Sequence, residues 1–325
     1  MRITGKINIF YKALLLAALV ICALSCAKKN GGDITEGRAD SREIYDQSGR
    51  IVALKGPVNR IVSTAPSNTE IIMDLGMAHK LVAIDRYSAD ITGSPFGASG
   101  SLPPGLMLVD FAYPDAEAIL GLKPDLIIAH GHNPTVSGDD PFRLIREMGI
   151  PVAYISMSKS VSGIYEDIAF IADLLGASGS GAALINSMKA QVDEIRSKTA
   201  QAEVKRSVYL EISAFPDIFT FGKDSYINDM ISVIGGRNIF ENDHWILSPS
   251  IEAIIERNPD VILTCVDYLQ DPVAEIKSRD GFNHVNAVIN NRVYQIDTNP
   301  LVRPSARIIL ALNQMARSVY PELYE

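Results

Sequence analysis

Apolar residues along this chain fall into two patterns. Short unbroken runs rich in branched side chains are RIVST (60–64), LVAI (81–84), DLIIA (125–129), PVAYIS (151–156), SVYLEI (207–212), DVILT (260–264) and RVYQID (292–297). Such runs predict strands covered on both faces, as in parallel sheets. EIIMDLG (70–76) and DMISVIG (229–235) instead carry helical spacing closed by a glycine. Strands alternating with helices predict a parallel α/β sheet, and here the alternation occurs twice. Between the two sets, VSGIYEDIAFIADLLG (161–176) and GAALINSMKAQVDEIRSKTAQAE (181–203) hold helical periodicity and no strand. The second stretch would run about 30 Å at 1.5 Å per residue. The expected fold is α/β, with two similar lobes of mainly parallel sheet joined by a long inter-lobe helix. Their spans are 43–160 for the N-terminal lobe, 161–203 for the connecting helices and 204–325 for the C-terminal lobe.

An internal repeat supports the duplication. PDAEAILGLKPDLIIA (114–129) and PSIEAIIERNPDVILT (249–264) agree at seven of sixteen positions. Each reads as a proline in the first helical turn, a short helix with one apolar side, a second proline that stops it, and a buried strand. Glu117 and Glu252 stand at matching places. A carboxylate there complements a helix N-terminus, worth roughly 0.3–1 kcal/mol.

The N-terminus belongs to neither lobe. Arg2, Lys6 and Lys12 precede the apolar run ALLLAALVICALS, which has the length of a signal-peptide core and is short for a membrane span. It ends in ALSC and resembles a bacterial lipoprotein signal, with residues 1–25 removed and the Cys26 thiol lipidated. Ala23 stands where leucine is usual in such signals. Residues 26–42 are polar and aperiodic and read as a flexible tether. Removing residues 1–25 takes away three positive charges, so the formal charge goes from −8 to −11. So acidic a body argues against nucleic acid as a partner. Only Cys265 then remains as a thiol in the folded body, which excludes a disulfide framework, and its apolar setting points to a buried inert side chain.

Four segments together resemble a known family: NRIVSTAPSNTEIIMDLG (59–76), the first repeat, FTFGKDSYINDMISVIGGRNIF (219–240) and RPSARIILALNQMA (303–316). The resemblance, from about residue 43 to the C-terminus, is to substrate-binding proteins of bacterial ABC importers for iron–siderophore complexes, haem and cobalamin. It implies two lobes bridged by a rigid helix, with a ligand between them. It also implies a dimeric permease with ATPase subunits as partner, and a glutamate on each lobe that docks onto the permease, which assigns that role to Glu117 and Glu252. The expected cargo is a small metal chelate, a ferric siderophore or haem, with cobalamin as the alternative. No resident cofactor and no metal site of the protein's own are expected. The protein would be a lipid-anchored monomer, facing the periplasm or the outer surface of the cytoplasmic membrane. A two-lobed α/β enzyme is the competing class, but the sequence holds no G-x-S-x-G, H-E-x-x-H or P-loop motif. Five scattered histidines also speak against an importer of free zinc or manganese.

Ligands in parallel α/β lobes bind beyond the carboxyl ends of strands. That rule selects Ser67, as a helix cap beside backbone N–H groups, and Arg86 and Tyr87 after the second strand. It also selects His130 and His132 after DLIIA, which either approach a metal or serve the backbone. Phe111 and Tyr113 precede the first repeat. From the second lobe come Lys223, Tyr226, Trp245, Tyr268 and Arg303. Aromatic faces with a few cations suit a large, flat or chelated ligand.

Overall fold

The computed structural model describes residues 41–92, 101–110, 113–130 and 140–325. Cys26, Phe111 and His132 lie outside them. The described chain opens on an antiparallel hairpin, β1 (Arg42–Tyr45) with β2 (Ile51–Leu54). Arg42, expected in the tether, is therefore a strand residue paired with Leu54.

The first sheet holds β3 (Ile61–Ser63), β4 (Leu81–Asp85), β5 (Met107–Val109), β6 (Leu126–His130) and β7 (Val152–Ile155), all parallel, in the order β5-β4-β3-β6-β7. The second holds β8 (Ser207–Glu211), β10 (Arg237–Asn238), β12 (Val261–Thr264) and β13 (Val293–Gln295), also parallel, in the order β10-β8-β12-β13. Strand for strand, β4-β3-β6-β7 and β10-β8-β12-β13 are the same arrangement. A short antiparallel pair, β9 (Thr220–Phe221) with β11 (Ile246–Leu247), is added to the second lobe. Every residue of β7, β8 and β12 is buried, as unbroken apolar runs require.

The helices of the first lobe are α1 (Pro66–Asp74), α2 (Ala116–Gly121) and α3 (Arg143–Glu147). The connecting helices are α4 (Val161–Leu174) and α5 (Ser178–Thr199). The second lobe holds α6 (Tyr226–Val233), α7 (Ile251–Arg257), α8 (Pro272–Ser278), α9 (Asn286–Ile289), α10 (Thr298–Val302) and α11 (Ile308–Val319). Gly76 and Gly235 close α1 and α6 at φ +77° and +76°, a backbone that side-chain-bearing residues rarely adopt. Both copies of the repeat correct the reading of their first proline. The helix caps are Asp115 and Ser250, which accept from the N–H of Ala118 and Ala253, so Pro114 and Pro249 sit just outside the helix. At the other end, Lys123 (φ +48°) and Asn258 (φ +43°) turn left-handed immediately before Pro124 and Pro259.

One apolar cluster runs from α1 through the connecting helices into the second lobe. It takes in Ile71 and Ile72, Ile164 and Ile168, Met188, Val192 and Ile195, then Met230 and Ile231. Near its start, Gly181 of α5 lies against Ala172 and Leu75; at its end, Thr199 lies against Gly235. Among the described residues no helix is long and apolar enough to cross a membrane.

Candidate functional site

In each sheet the chain reverses its direction of addition between two neighbours, β3/β6 in the first lobe and β8/β12 in the second. The crevice beyond such a switch point is where α/β sheets bind ligands. A cavity of about 340 Å³ opens there in the first lobe. Thr64, Ala65, Pro66 and Ser67, after β3, and His130, the last residue of β6, form one side, with Tyr87. The other side is α10 and the two residues beyond its end, through Asn299, Val302, Arg303 and Pro304. A second cavity, about 250 Å³, continues from His130, Val302 and Pro304 to Met157, Ser158, Ile212, Phe221, Tyr226 and Ile227. Both are thus lined by residues of the two lobes.

Of the residues selected from sequence, the structure brings together Ser67, Tyr87, His130 and Arg303 in the larger cavity and Tyr226 in the smaller. Ser67 is not the helix cap expected of it. Ala65 holds that position and makes no side-chain cap, while Ser67 sits buried in the first turn behind Pro66. Tyr226 is also buried, and its hydroxyl donates to the Leu301 carbonyl at 3.0 Å. It therefore offers the cavity a ring and no polar tip. Arg86, Tyr113, Lys223, Trp245 and Tyr268 line neither cavity. Lys223 and Trp245 belong instead to the backbone pairing around β9 and β11, where the Trp245 N–H donates to the Lys223 carbonyl at 2.9 Å. The Tyr268 hydroxyl accepts from the Ala214 N–H at 2.8 Å, so this side chain holds the loop after β8. Tyr87, Tyr113 and Tyr268 are 59%, 86% and 64% exposed, and all three stand beyond the carboxyl ends of strands.

Arg303 carries the main correction. Its position after a strand predicts a cation open to ligand, yet it is buried in an ion cluster that joins the lobes. Nη1 lies 3.3 Å from Glu70 Oε1; Nη2 donates to the Tyr87 carbonyl and Asp90 Oδ1, both at 3.0 Å. Ser305 Oγ donates to Glu70 Oε2 at 2.6 Å, and Arg307 Nε stands 3.8 Å from the same oxygen. Burial pushes the Glu70 carboxyl above its ordinary range, against the pull of Ser305, Arg307 and Arg303. Below the cavity, a buried chain of side chains links Ser63, Thr69, Ser88 and Asp85. Burial raises Asp85 too, although Ser88 and the Tyr87 N–H donate to it.

Asn299, Val302 and Pro304 escape the sequence rule although they flank Arg303. Met157 and Ser158 lie beyond β7, so the carboxyl-end rule applied to that strand finds them. Among the described residues no group of three or more His, Cys, Asp or Glu side chains is placed to hold a metal ion. Glu117 and Glu252 lie away from both cavities, exposed in the first turns of α2 and α7. Glu252 accepts from its own backbone N–H and the Ser250 hydroxyl, which hold its carboxyl below the ordinary value.

Comparison with known proteins agrees with this architecture. Residues 61–300 match the periplasmic binding protein family. A Bacillus subtilis protein, described as an uncharacterized ABC transporter substrate-binding lipoprotein, is 31% identical over 97% of this chain and 98% of its own length. The vitamin B12-binding protein of Vibrio campbellii is 27% identical over 80% of this chain and 89% of its own. The solved structure of a possible iron-binding, periplasmic solute-binding protein of Staphylococcus epidermidis superposes with a TM-score of 0.71 at 30% identity, covering 81% of this chain and 99% of that one. On its sequence match, its duplicated parallel lobes and the cavities between them, this chain belongs to the periplasmic binding protein family, among the substrate-binding proteins of ABC transporters.

Proposed function

We propose that the protein captures a metal chelate between its lobes outside the cytoplasm and delivers it to a dimeric ABC permease, and that a corrinoid is the cargo. The observation that carries the choice is the charge balance of the cleft. Among the described residues, Arg303 is the one Lys or Arg lining the two cavities, and it is already matched by Glu70 and Asp90. The remaining lining is mainly apolar, Ala65, Pro66, Tyr87, Phe221, Ile227 and Val302 among it, with a few hydroxyl and amide groups and the His130 imidazole. Such a surface suits a large neutral ligand with an apolar face better than a highly charged ferric catecholate. At about 340 Å³ the larger of these two cavities is small for a macrocycle. The exposed rings of Tyr87, Tyr113 and Tyr268 would then cover what it leaves open. The relative from Vibrio campbellii, a vitamin B12-binding protein, supports the same cargo. A second reading, haem or another iron complex, has one observation in its favour. His130 reaches both cavities, and an imidazole is a suitable axial ligand for iron. Titration of the purified chain with cyanocobalamin, haemin and a ferric siderophore tests the choice. Saturable one-to-one binding of cyanocobalamin is expected; binding of the iron complexes alone would overturn it.

Glu117 and Glu252 would dock onto basic residues of the permease, one per lobe. Paired lobes facing a twofold partner supply matching contacts, and exposed charges of this kind set encounter rate and register. The double variant Glu117→Ala with Glu252→Ala should keep its fold and ligand affinity and lose stimulation of the transporter's ATPase. Normal uptake by that variant would reduce both glutamates to helix-end complements. The chain is further proposed to be anchored through a lipidated Cys26, as the name of the Bacillus subtilis relative suggests. Cys26→Ser should then abolish acyl labelling and move the protein to the aqueous phase.

A further inference from the structure

A buried guanidinium facing a cavity is a ready receptor for an anionic group on a ligand. Arg303 has that position, but its two carboxylate partners differ in character. Glu70 is 1% exposed and shared with Ser305 and Arg307, so it belongs to the packed floor. Asp90 has a side chain 57% exposed and meets the guanidinium from the solvent side. Both of its oxygens contact Arg303 Nη2, at 3.0 and 3.2 Å, and Asn299 Nδ2 donates to Oδ2 at 3.2 Å. Asn299 and Arg303 both line the larger cavity.

A carboxylate so placed opposes an incoming anion in two ways. It occupies the Nη2 donor that the anion would use, and it repels the approaching charge. A neutral ligand meets no such repulsion. We propose that Asp90 is a specificity-determining residue, an internal counter-ion that closes Arg303 to anionic chelates and keeps the cleft selective for neutral ones. The inference rests on the reading of these cavities as the ligand site. Discrimination built on a repulsive element is a general route to specificity, separate from added contacts to the preferred ligand. The Tyr87 carbonyl also accepts from Nη2 but carries no net charge, so it cannot do the same.

The test compares wild type and Asp90→Asn, as full-length chains in detergent, against neutral cyanocobalamin and trianionic ferric tris-catecholate. Asp90→Asn should raise affinity for the ferric complex by about tenfold or more, a gain that added salt erodes. Affinity for cyanocobalamin should stay within about threefold, since that ligand carries no net charge. Asn299→Ala loosens the same tie between the lobes without changing charge; as a cavity residue it can alter both affinities, but it should not favour the ferric complex over cyanocobalamin as Asp90→Asn does. The proposal is overturned if Asp90→Asn changes both affinities equally or neither, or if Asn299→Ala reproduces the shift. It is also overturned if wild type already prefers the ferric complex. Binding of neither chelate by wild type or variant would overturn the cleft reading itself, a result distinct from an unchanged ratio.

Discussion

The aspartate after the second proline in each repeat has the same work in both lobes. Asp125 Oδ2 accepts from the N–H groups of Asn59 and Arg60 at 2.8 and 2.9 Å, at the start of β3. Asp260 Oδ2 accepts from the Ser207 N–H and hydroxyl at 2.9 and 2.7 Å, at the start of β8. The Pro-Asp of the motif thus pins the beginning of a neighbouring strand, which accounts for its recurrence without any role in ligand binding. Burial raises the Asp260 carboxyl, but the bonds from Ser207, with Asn286 and Arg292, outweigh it and hold the group below its usual 3.8. A depressed folded-state value contributes stability above the unfolded value and loses it as pH falls. Asp260→Ala should therefore cost about 1–3 kcal/mol at neutral pH in denaturant unfolding. The gap from wild type should narrow as the pH falls below 3.8 through the depressed value. Asp167 has the opposite sign, because burial raises its carboxyl against hydrogen bonds from Gln47 and Ser158. Its contribution is full below 3.8 and is lost as pH rises through the raised value, so Asp167→Asn should remove that decline.

Among the elements, α4 and α5 together link the lobes, and their contact with each other depends on one small residue. A Cβ built on Gly181 would sit 2.5 Å from the Ala172 Cβ and 3.8 Å from the Ile168 carbonyl. Exchanging a helical glycine for alanine ordinarily gains up to about 1 kcal/mol. Here that gain is overridden by overpacking, which typically costs about 1–3 kcal/mol, so Gly181→Ala should destabilise by about 1–2 kcal/mol net. Ala172→Gly in the same molecule removes the clashing methyl and should restore most of the loss. Additive losses in that double variant would show that the helices do not meet at this point.

For the whole molecule, two sheets share one apolar cluster through α4 and α5, and the Glu70–Arg303 cluster ties the lobes again at the cleft floor. A hinge made of packed helices has few soft dihedrals to absorb a rotation. Ligand should therefore change the radius of gyration from solution scattering by less than about 1 Å, in keeping with preorganised binding. A contraction of several ångströms would show that the helices bend.

The sequence by itself determined the duplicated α/β architecture, most strands, the connecting helices and the family. Its signals for these are local: a parallel strand buried on both faces must be apolar throughout, and helix ends demand particular residues over a few positions. The β1–β2 hairpin escaped because its strands are only four residues long and IVAL is apolar throughout although alternate side chains are exposed, and β9 with β11 escaped because two residues make no alternation. Strand ends were legible, and with them Tyr87 and His130 as cavity residues. Whether Arg303 faces a ligand or a carboxylate was decided only by the tertiary structure. Its partners Glu70 and Asp90 lie 233 and 213 residues away, and no periodicity reaches that far. The sequence shows where a charge resides; folding chooses what stands opposite it, because burying a guanidinium requires a counter-ion that any distant segment can supply.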